Sequence, residues 1–264
     1  MARLNVDGPI PESMAMIVGG RLGYWILKTF WPGGCGREDG AMPAGLDARL
    51  RQYFGDDFFE QIRGKTVIDF GCGPGHETVE MARQGAARVI GIDIQQRMLD
   101  AGEAHAREQG VAERCSFVTH TDEKADFVIS KDAFEHFDDP EGVLALMAGL
   151  LKPGGRVLAA FGPTWFHPYG GHLFSVFPWS HLVFTEKALI RWRSDFKSDG
   201  ATRFNEVEGG LNGMTIHRFE RQVAHGPLQL EVLDTRPIRG LGLLRHRWLR
   251  EFGSSLVVCR MAAR

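Results

Sequence analysis

Hydrophobic and polar positions along this 264-residue chain change period several times, and each change marks an element. Met14 to Phe30 is apolar and aromatic, and Trp31-Pro32-Gly33-Gly34-Cys35-Gly36 breaks it. Leu46, Leu50, Phe54, Phe58 and Ile62 then recur at four-residue steps, which predicts a helical face over Leu46 to Ile62. From residue 61 to 162 short apolar runs alternate with longer amphipathic ones. Val67-Ile68 leads a buried strand into a glycine turn, and Ala86 to Ile92 is an apolar strand ending at Asp93. Gln95 to Gln109 reads as a helix closed by Gly110. Cys115 to Val118 and Phe127 to Ser130 read as strands, and a helix carrying Leu144, Leu146 and Leu150 precedes a strand over Arg156 to Phe161. Helix-length crossovers between short strands predict a parallel sheet with right-handed connections. After a break in the pattern, Thr215 to Val223 predicts a helix, and Leu228 to Asp234 and Ser254 to Met261 predict two last strands.

The break itself is distinctive. Between Trp165 and Phe184 lie seven aromatics (Trp165, Phe166, Tyr169, Phe174, Phe177, Trp179 and Phe184) and the histidines His167, His172 and His181. Gly170-Gly171 gives this stretch a flexible pair. Such an insertion after a strand's carboxyl end sits over the ligand crevice of an open α/β sheet, so a lid hinged at Gly170-Gly171 is expected. Arg191, Arg193, Lys197 and Arg203 alternate with Asp195, Asp199, Glu206 and Glu208 beyond it, the pattern of a solvated face.

Charge and composition narrow the function. A net charge of −2 and a pI near 6.6 provide no global basic field, which disfavours extended nucleic-acid binding. A local run, Arg236, Arg239, Arg245, Arg247 and Arg250, could touch a phosphate or an acidic lipid surface, or form a solvated helix face. Hydrophobic residues make up 44%, ample for a core, and no run approaches the ~18 apolar residues of a spanning helix. Cys35, Cys72, Cys115 and Cys259 show no C-x-x-C pairing, and Met1 to Glu12 has no signal-peptide core. Both suit a cytoplasmic protein with reduced thiols.

The chemistry concentrates at Asp69-Phe70-Gly71-Cys72-Gly73-Pro74-Gly75. Alternating glycines let backbone approach a ligand closely, and Asp93 one βα unit later can accept hydrogen bonds from both hydroxyls of a ribose. A dinucleotide turn wants G-x-G-x-x-G, which would require glycine where His76 stands, and a pyrophosphate would face Asp69 badly. These features weigh against a nicotinamide-dependent oxidoreductase, the alternative that also wants Asp93.

The segment resembles the first motif of class I S-adenosylmethionine-dependent methyltransferases, (V/I/L)-(L/I)-(D/E)-x-G-x-G-x-G. Further on, Ser130 followed by Glu135-His136, Asp139-Pro140 and Leu151-Lys152-Pro153-Gly154-Gly155 resembles the type 11-like small-molecule group over residues 60 to 162. The resemblance implies an α/β, Rossmann-like seven-stranded sheet, mostly parallel with a C-terminal antiparallel strand and helices on both faces. Residues 1–60 would form an N-terminal helical cap, and 61–264 the cofactor-binding domain with an insertion at 163–212. It also implies that Asp69, Phe70, Gly71, Cys72, Gly73 and Gly75 hold the methionyl part and ribose. Asp93 would take the ribose hydroxyls, Ile94 would pack on adenine, Asp122 stands where the third motif's acid would fall, and Ser130 and Lys131 border the methionyl group. S-adenosylmethionine is the expected cofactor and S-adenosylhomocysteine its product. The expected activity is methyl transfer to a small-molecule acceptor, with oxygen as the expected atom. A protein that binds the cofactor without transferring a methyl group is the remaining alternative. Candidate bases are His167, His172 and His136, whose ordinary pKa lies near neutrality. No metal is expected, because no acidic or cysteine ligand accompanies His167, His172 and His181.

Overall fold

The computed structural model describes residues 17–34, 45–207, 209–238, 240, 242–246 and 248–264. Expectations for Met1 to Glu12, Met14, Met16, Cys35, Gly36, Glu208, Arg239 and Arg247 lie outside the described residues, as does the side chain of Arg245.

The elements run α1 (Gly20–Phe30), α2 (Leu46–Phe54), α3 (Phe58–Ile62), β1 (Thr66–Phe70), α4 (His76–Arg83), β2 (Arg88–Ile92) and α5 (Gln96–Glu108). They continue with β3 (Cys115–Val118), β4 (Ala125–Lys131), α6 (Pro140–Gly149), β5 (Leu151–Phe161), α7 (Ser180–Val183) and α8 (Glu186–Arg193). The last are α9 (Ile216–His225), β6 (Leu228–Pro237), α10 (Arg250–Gly253) and β7 (Ser254–Ala263). The strands form one seven-stranded sheet in the order β3-β2-β1-β4-β5-β7-β6. Neighbours from β3 to β5 are parallel, and β7 runs antiparallel to both β5 and β6. This is the sheet that the resemblance implies.

Period-two alternation sends neighbouring strand residues to opposite faces. Val67, Ile129 and Leu158 pack with Leu50, Phe59, Met81 and Leu99 from α2 to α5. Ile68, Val128, Val157 and Ala159 face the other way, onto Leu144, Met147, Phe219 and Val223 of α6 and α9. Each face is thus a separate hydrophobic layer. The four-residue repeat over Leu46 to Ile62 is buried as expected, with Leu50, Phe58 and Ile62 fully enclosed. The helix, however, is broken in two. Gly55, at φ 111°, ends α2, and α3 restarts after Asp57 with its buried residues still facing the sheet.

The aromatic insertion is a third core. Trp165, Phe174, Phe184, Leu189, Trp192 and Phe204 enclose one another together with Leu27 from α1. Trp192 donates its indole N–H to the carbonyl of Trp31, and a parallel bridge joins Val18 to Phe184. Within it, Arg193 is buried and pairs with Asp199 through two hydrogen bonds of 2.6 and 2.5 Å, so this arginine does not belong to a solvated face. Gly170 and Gly171 also differ from expectation. A Cβ on Gly170 would stand 2.2 Å from the Thr164 carbonyl oxygen, and one on Gly171 2.3 Å from the Cβ of His181. Glycine is needed there for close packing, and the pair is wedged in place. No helix among the described residues is long and apolar enough to cross a membrane.

Candidate active site

The carboxyl ends of β1, β2 and β4 converge on the glycine loop. The amides of Gly71 and Cys72 both donate to the carbonyl of Ile92, at 2.9 and 3.0 Å, which fastens the loop to the end of β2. Gly71, Gly73 and Gly75 all have positive φ (80°, 51° and 75°), a conformation that costs other residues strain. Their surroundings differ. A Cβ at Gly75 would lie 2.4 Å from the Phe117 ring and one at Gly71 3.1 Å from Ala133, whereas one at Gly73 would meet nothing within 4 Å. Gly71 and Gly75 are packing glycines, and Gly73 faces open space. The Cys72 thiol is buried beneath the loop, where burial raises its pKa far above the ordinary value. Phe70 packs edge-on against Phe137.

Asp93 closes this arrangement. One carboxylate oxygen accepts the Gly73 amide at 3.0 Å, and the other accepts the Gln95 amide at 2.8 Å. A single side chain therefore ties the glycine loop to the turn that starts α5. Next to it the Ile94 side chain is 90% exposed, an apolar surface with no protein over it. Asp122 lies farther out, 97% exposed and 3.6 Å from His120.

Asp69 is buried below the loop and accepts the Thr78 hydroxyl at 2.7 Å. Burial, reinforced by the negative charge of Glu77, pushes its pKa up to about 7. Lys131 balances this acidic ground. Its ammonium lies 3.0 Å from Glu77 and 2.6 Å from Asp132, and 5.7 Å from the Tyr53 ring centroid. Burial alone would lower the Lys131 pKa, but the two carboxylates outweigh it and hold it above the ordinary value. Asp132 has φ 51°, a conformation that stores roughly 1–3 kcal/mol in a non-glycine residue. Ser130 is fully buried, and its hydroxyl has no hydrogen-bond partner in the structure.

The candidate histidines divide. His136 and His172, far apart in sequence, stack edge-on with ring centroids 5.2 Å apart. His136 donates from Nδ1 to the Gly210 carbonyl at 2.8 Å, which leaves Nε2 as the nitrogen with a lone pair. His172 is held at φ 50°. His167 is elsewhere, with both nitrogens committed. The Tyr169 amide donates to Nδ1 at 3.1 Å, so Nε2 carries the proton and faces the Ser255 hydroxyl at 3.2 Å. His181 is likewise engaged at both nitrogens, by Ser175 and the Trp165 carbonyl, and burial lowers its pKa to about 4. Among the described residues no three His, Cys, Asp or Glu side chains are grouped to hold a metal.

Sequence reading passed over Glu135. One of its oxygens accepts the Gly162 amide at 3.2 Å, and the other is buried with no hydrogen-bond partner. Burial raises its pKa to about 8, so this carboxyl holds a proton near neutral pH at the joint ends of β4 and β5. Its place beside His136 in the Glu-His pair was the available signal.

A mostly parallel sheet, a left-handed glycine loop on β1 and an acid closing it from β2 define a nucleoside-cofactor-binding protein of Rossmann-like architecture. Residues 68–159 match the family model described as a methyltransferase domain. The chain is 31% identical over 191 residues to a ubiquinone biosynthesis O-methyltransferase from Ralstonia nicotianae, covering 70% of this chain and 73% of that relative. It belongs to the class I S-adenosylmethionine-dependent methyltransferase family. It is also 40% identical over 100 residues to the enzyme of the same name from Aeromonas salmonicida, where the match covers 36% of this chain and only 42% of the relative's length. The geranyl diphosphate C-methyltransferase from Streptomyces coelicolor shares the fold, with a TM-score of 0.53 at 15% identity, over 83% of this chain and 78% of that one.

Proposed function

We propose that this chain transfers a methyl group from S-adenosylmethionine to an oxygen atom of a small-molecule acceptor. The observation that carries the reading is the Asp93 carboxylate gripping the glycine loop beside the uncovered Ile94. That pair offers an acceptor for a ribose diol and a platform for a purine. Gly73 leaves the space between them, and Asp69 supplies a carboxylate for an ammonium group. The relative from Ralstonia nicotianae that matches over 70% of the chain is named an O-methyltransferase, which favours oxygen.

When bound, S-adenosylmethionine supplies an electrophilic methyl group on a sulfonium. The chain's tasks are alignment, exclusion of water and removal of the acceptor's proton. In this reading the third core around Trp165 and Phe174 provides the cover on the acceptor side. His136 is the proton acceptor in this reading. Its Nδ1 bond to Gly210 fixes the ring, and His172 packs against it. His167 keeps the insertion joined to β7 through Ser255. Once an acceptor is in hand, His136→Gln should lower turnover by ~10²-fold with cofactor affinity kept. His167→Gln should act first on melting temperature. The reverse order would transfer the base role to His167.

Calorimetry tests the cofactor reading directly. S-adenosylmethionine and S-adenosylhomocysteine should bind and NAD should not; tight NAD binding with neither of the others would refute the reading. The pH dependence has a definite sign. Asp69 pairs with an ammonium only when ionised, and its pKa stands near 7. S-adenosylmethionine affinity should therefore rise by roughly tenfold between pH 5.5 and 7.5. Asp69→Asn should be weaker and flat over that range. An unchanged slope in that variant would remove Asp69 from the cofactor contacts.

A further inference from the structure

His136 ends the short 3₁₀ turn Phe134–His136, just beyond β4. Phe134 and Glu135 are buried, and so short a turn supplies no donor of its own to their carbonyls. Asn212 supplies the donors from the far end of the insertion. Its side-chain amide donates to the carbonyls of Phe134 and Phe137 at 2.7 and 2.8 Å, and its backbone amide donates to that of Glu135 at 3.0 Å. Three carbonyls around His136 thus depend on a single residue. Arg218 of α9 fixes that residue in turn, donating to the Asn212 carbonyl at 2.6 Å.

The same docking sets the loop before Asn212 against the imidazole. Gly210 accepts the His136 Nδ1–H at 2.8 Å. A Cβ on Gly209 would lie 3.8 Å from Nδ1, and one on Gly210 3.2 Å from the His136 carbonyl oxygen. Both glycines are left-handed, with φ of 85° and 59°, in the turn that presents this acceptor. Asn212 is a poor choice for packing alone. Only its nitrogen can face two carbonyls, so the amide has one orientation, and its oxygen is left buried with no hydrogen-bond partner. Gripping the turn accounts for a polar side chain there.

We propose that Asn212 is a positioning residue, which holds the His136 turn against Gly210 and so keeps the imidazole as the tautomer whose Nε2 can accept a proton. The inference rests on the reading of His136 as proton acceptor, and its test separates the two.

Proton–nitrogen correlation spectra of the full chain above about pH 8, with His136 assigned from His136→Gln, should show a neutral ring protonated at Nδ1. Asn212→Asp keeps the shape and the backbone amide but sets a carboxylate oxygen against two carbonyls. The form protonated at Nε2 should then become the major one. Turnover should fall by roughly tenfold or more, with acceptor KM and S-adenosylhomocysteine affinity within about twofold of wild type. Asn212→Ala removes both side-chain donors without the repulsion, so it should shift the tautomer the same way and serves where the Asp variant does not fold. Val223→Ala opens the core beneath α9 and lowers the melting temperature, yet its His136 spectrum should match wild type. A wild-type ring protonated at Nε2 would overturn the proposal. So would folded Asn212 variants that keep the wild-type tautomer, or a Val223→Ala spectrum shifted as far as theirs. Where His136→Gln keeps full turnover while the Asn212 variants shift the tautomer, the base role falls and the clamp stands, because the tautomer is read without an acceptor.

Discussion

Asp93→Ala is expected to weaken S-adenosylmethionine binding by at least about 10²-fold. The carboxylate does two jobs in this site. In the proposed reading it takes the hydroxyls of the cofactor's ribose, and in the structure it holds the amides of Gly73 and Gln95 at 3.0 and 2.8 Å. Hydrogen bonds to a charged group each contribute roughly 1.5–3 kcal/mol, so loss of two gives that magnitude before any loosening of the loop. Calorimetry measures the affinity, and circular dichroism checks that the sheet is intact. Asp93→Asn separates the two jobs, because its side-chain oxygen can keep one amide while the charge is lost. A folded Ala variant with unchanged affinity would exclude Asp93 as a cofactor ligand.

Gly170→Ala should be the most damaging small substitution in the insertion. The added carbon would lie 2.2 Å from the Thr164 carbonyl oxygen and 2.6 Å from that of Trp165. Both are backbone atoms next to the buried Trp165, so neither can turn aside. Overpacking of this kind costs on the order of 3 kcal/mol, and the melting temperature should fall by about 6–10 °C. Gly149→Ala is the matched control at the end of α6. A Cβ there meets nothing within 4 Å, and stability should stay within about 0.5 kcal/mol. A hinge at Gly170-Gly171 would tolerate the extra methyl group, so a melting temperature unchanged by Gly170→Ala would restore the lid.

What was legible in the chain was whatever depends on neighbours in sequence. β3 spans Cys115–Val118 as its pattern predicts, and β1 ends in the glycine loop as the Val67-Ile68 lead predicts. The position of Asp93 just beyond β2, against the glycine loop, was legible for the same reason, because the residue that follows a strand's carboxyl end stands at the loop. The continuous helix expected over Leu46 to Ile62 failed at Gly55, since spacing reports which residues are buried and not whether the backbone between them is unbroken. Burial of Arg193 was hidden because its partner Asp199 also looks like part of an exposed alternation. The association of His136 with His172 depends on where the insertion folds back, which no local pattern encodes. Glu135 was missed because its partner, the Gly162 amide, lies just beyond β5 and distant in sequence.

The strand order has a consequence for how the molecule is made. β7 is the last of the seven strands in sequence, yet it lies between β5 and β6 and hydrogen-bonds to both. Until Ser254–Ala263 has emerged from the ribosome, β5 presents an open edge and β6 has no strand to pair with. The glycine loop, β2 and β4 can assemble during synthesis through contacts already available. Closure of the sheet waits for Ser254–Ala263, and it brings Ser255 to His167 and Phe252 to Phe166 together. The nascent chain therefore spends its longest exposed interval with unsatisfied strand edges beside an aromatic cluster, the state in which intermolecular pairing competes with folding.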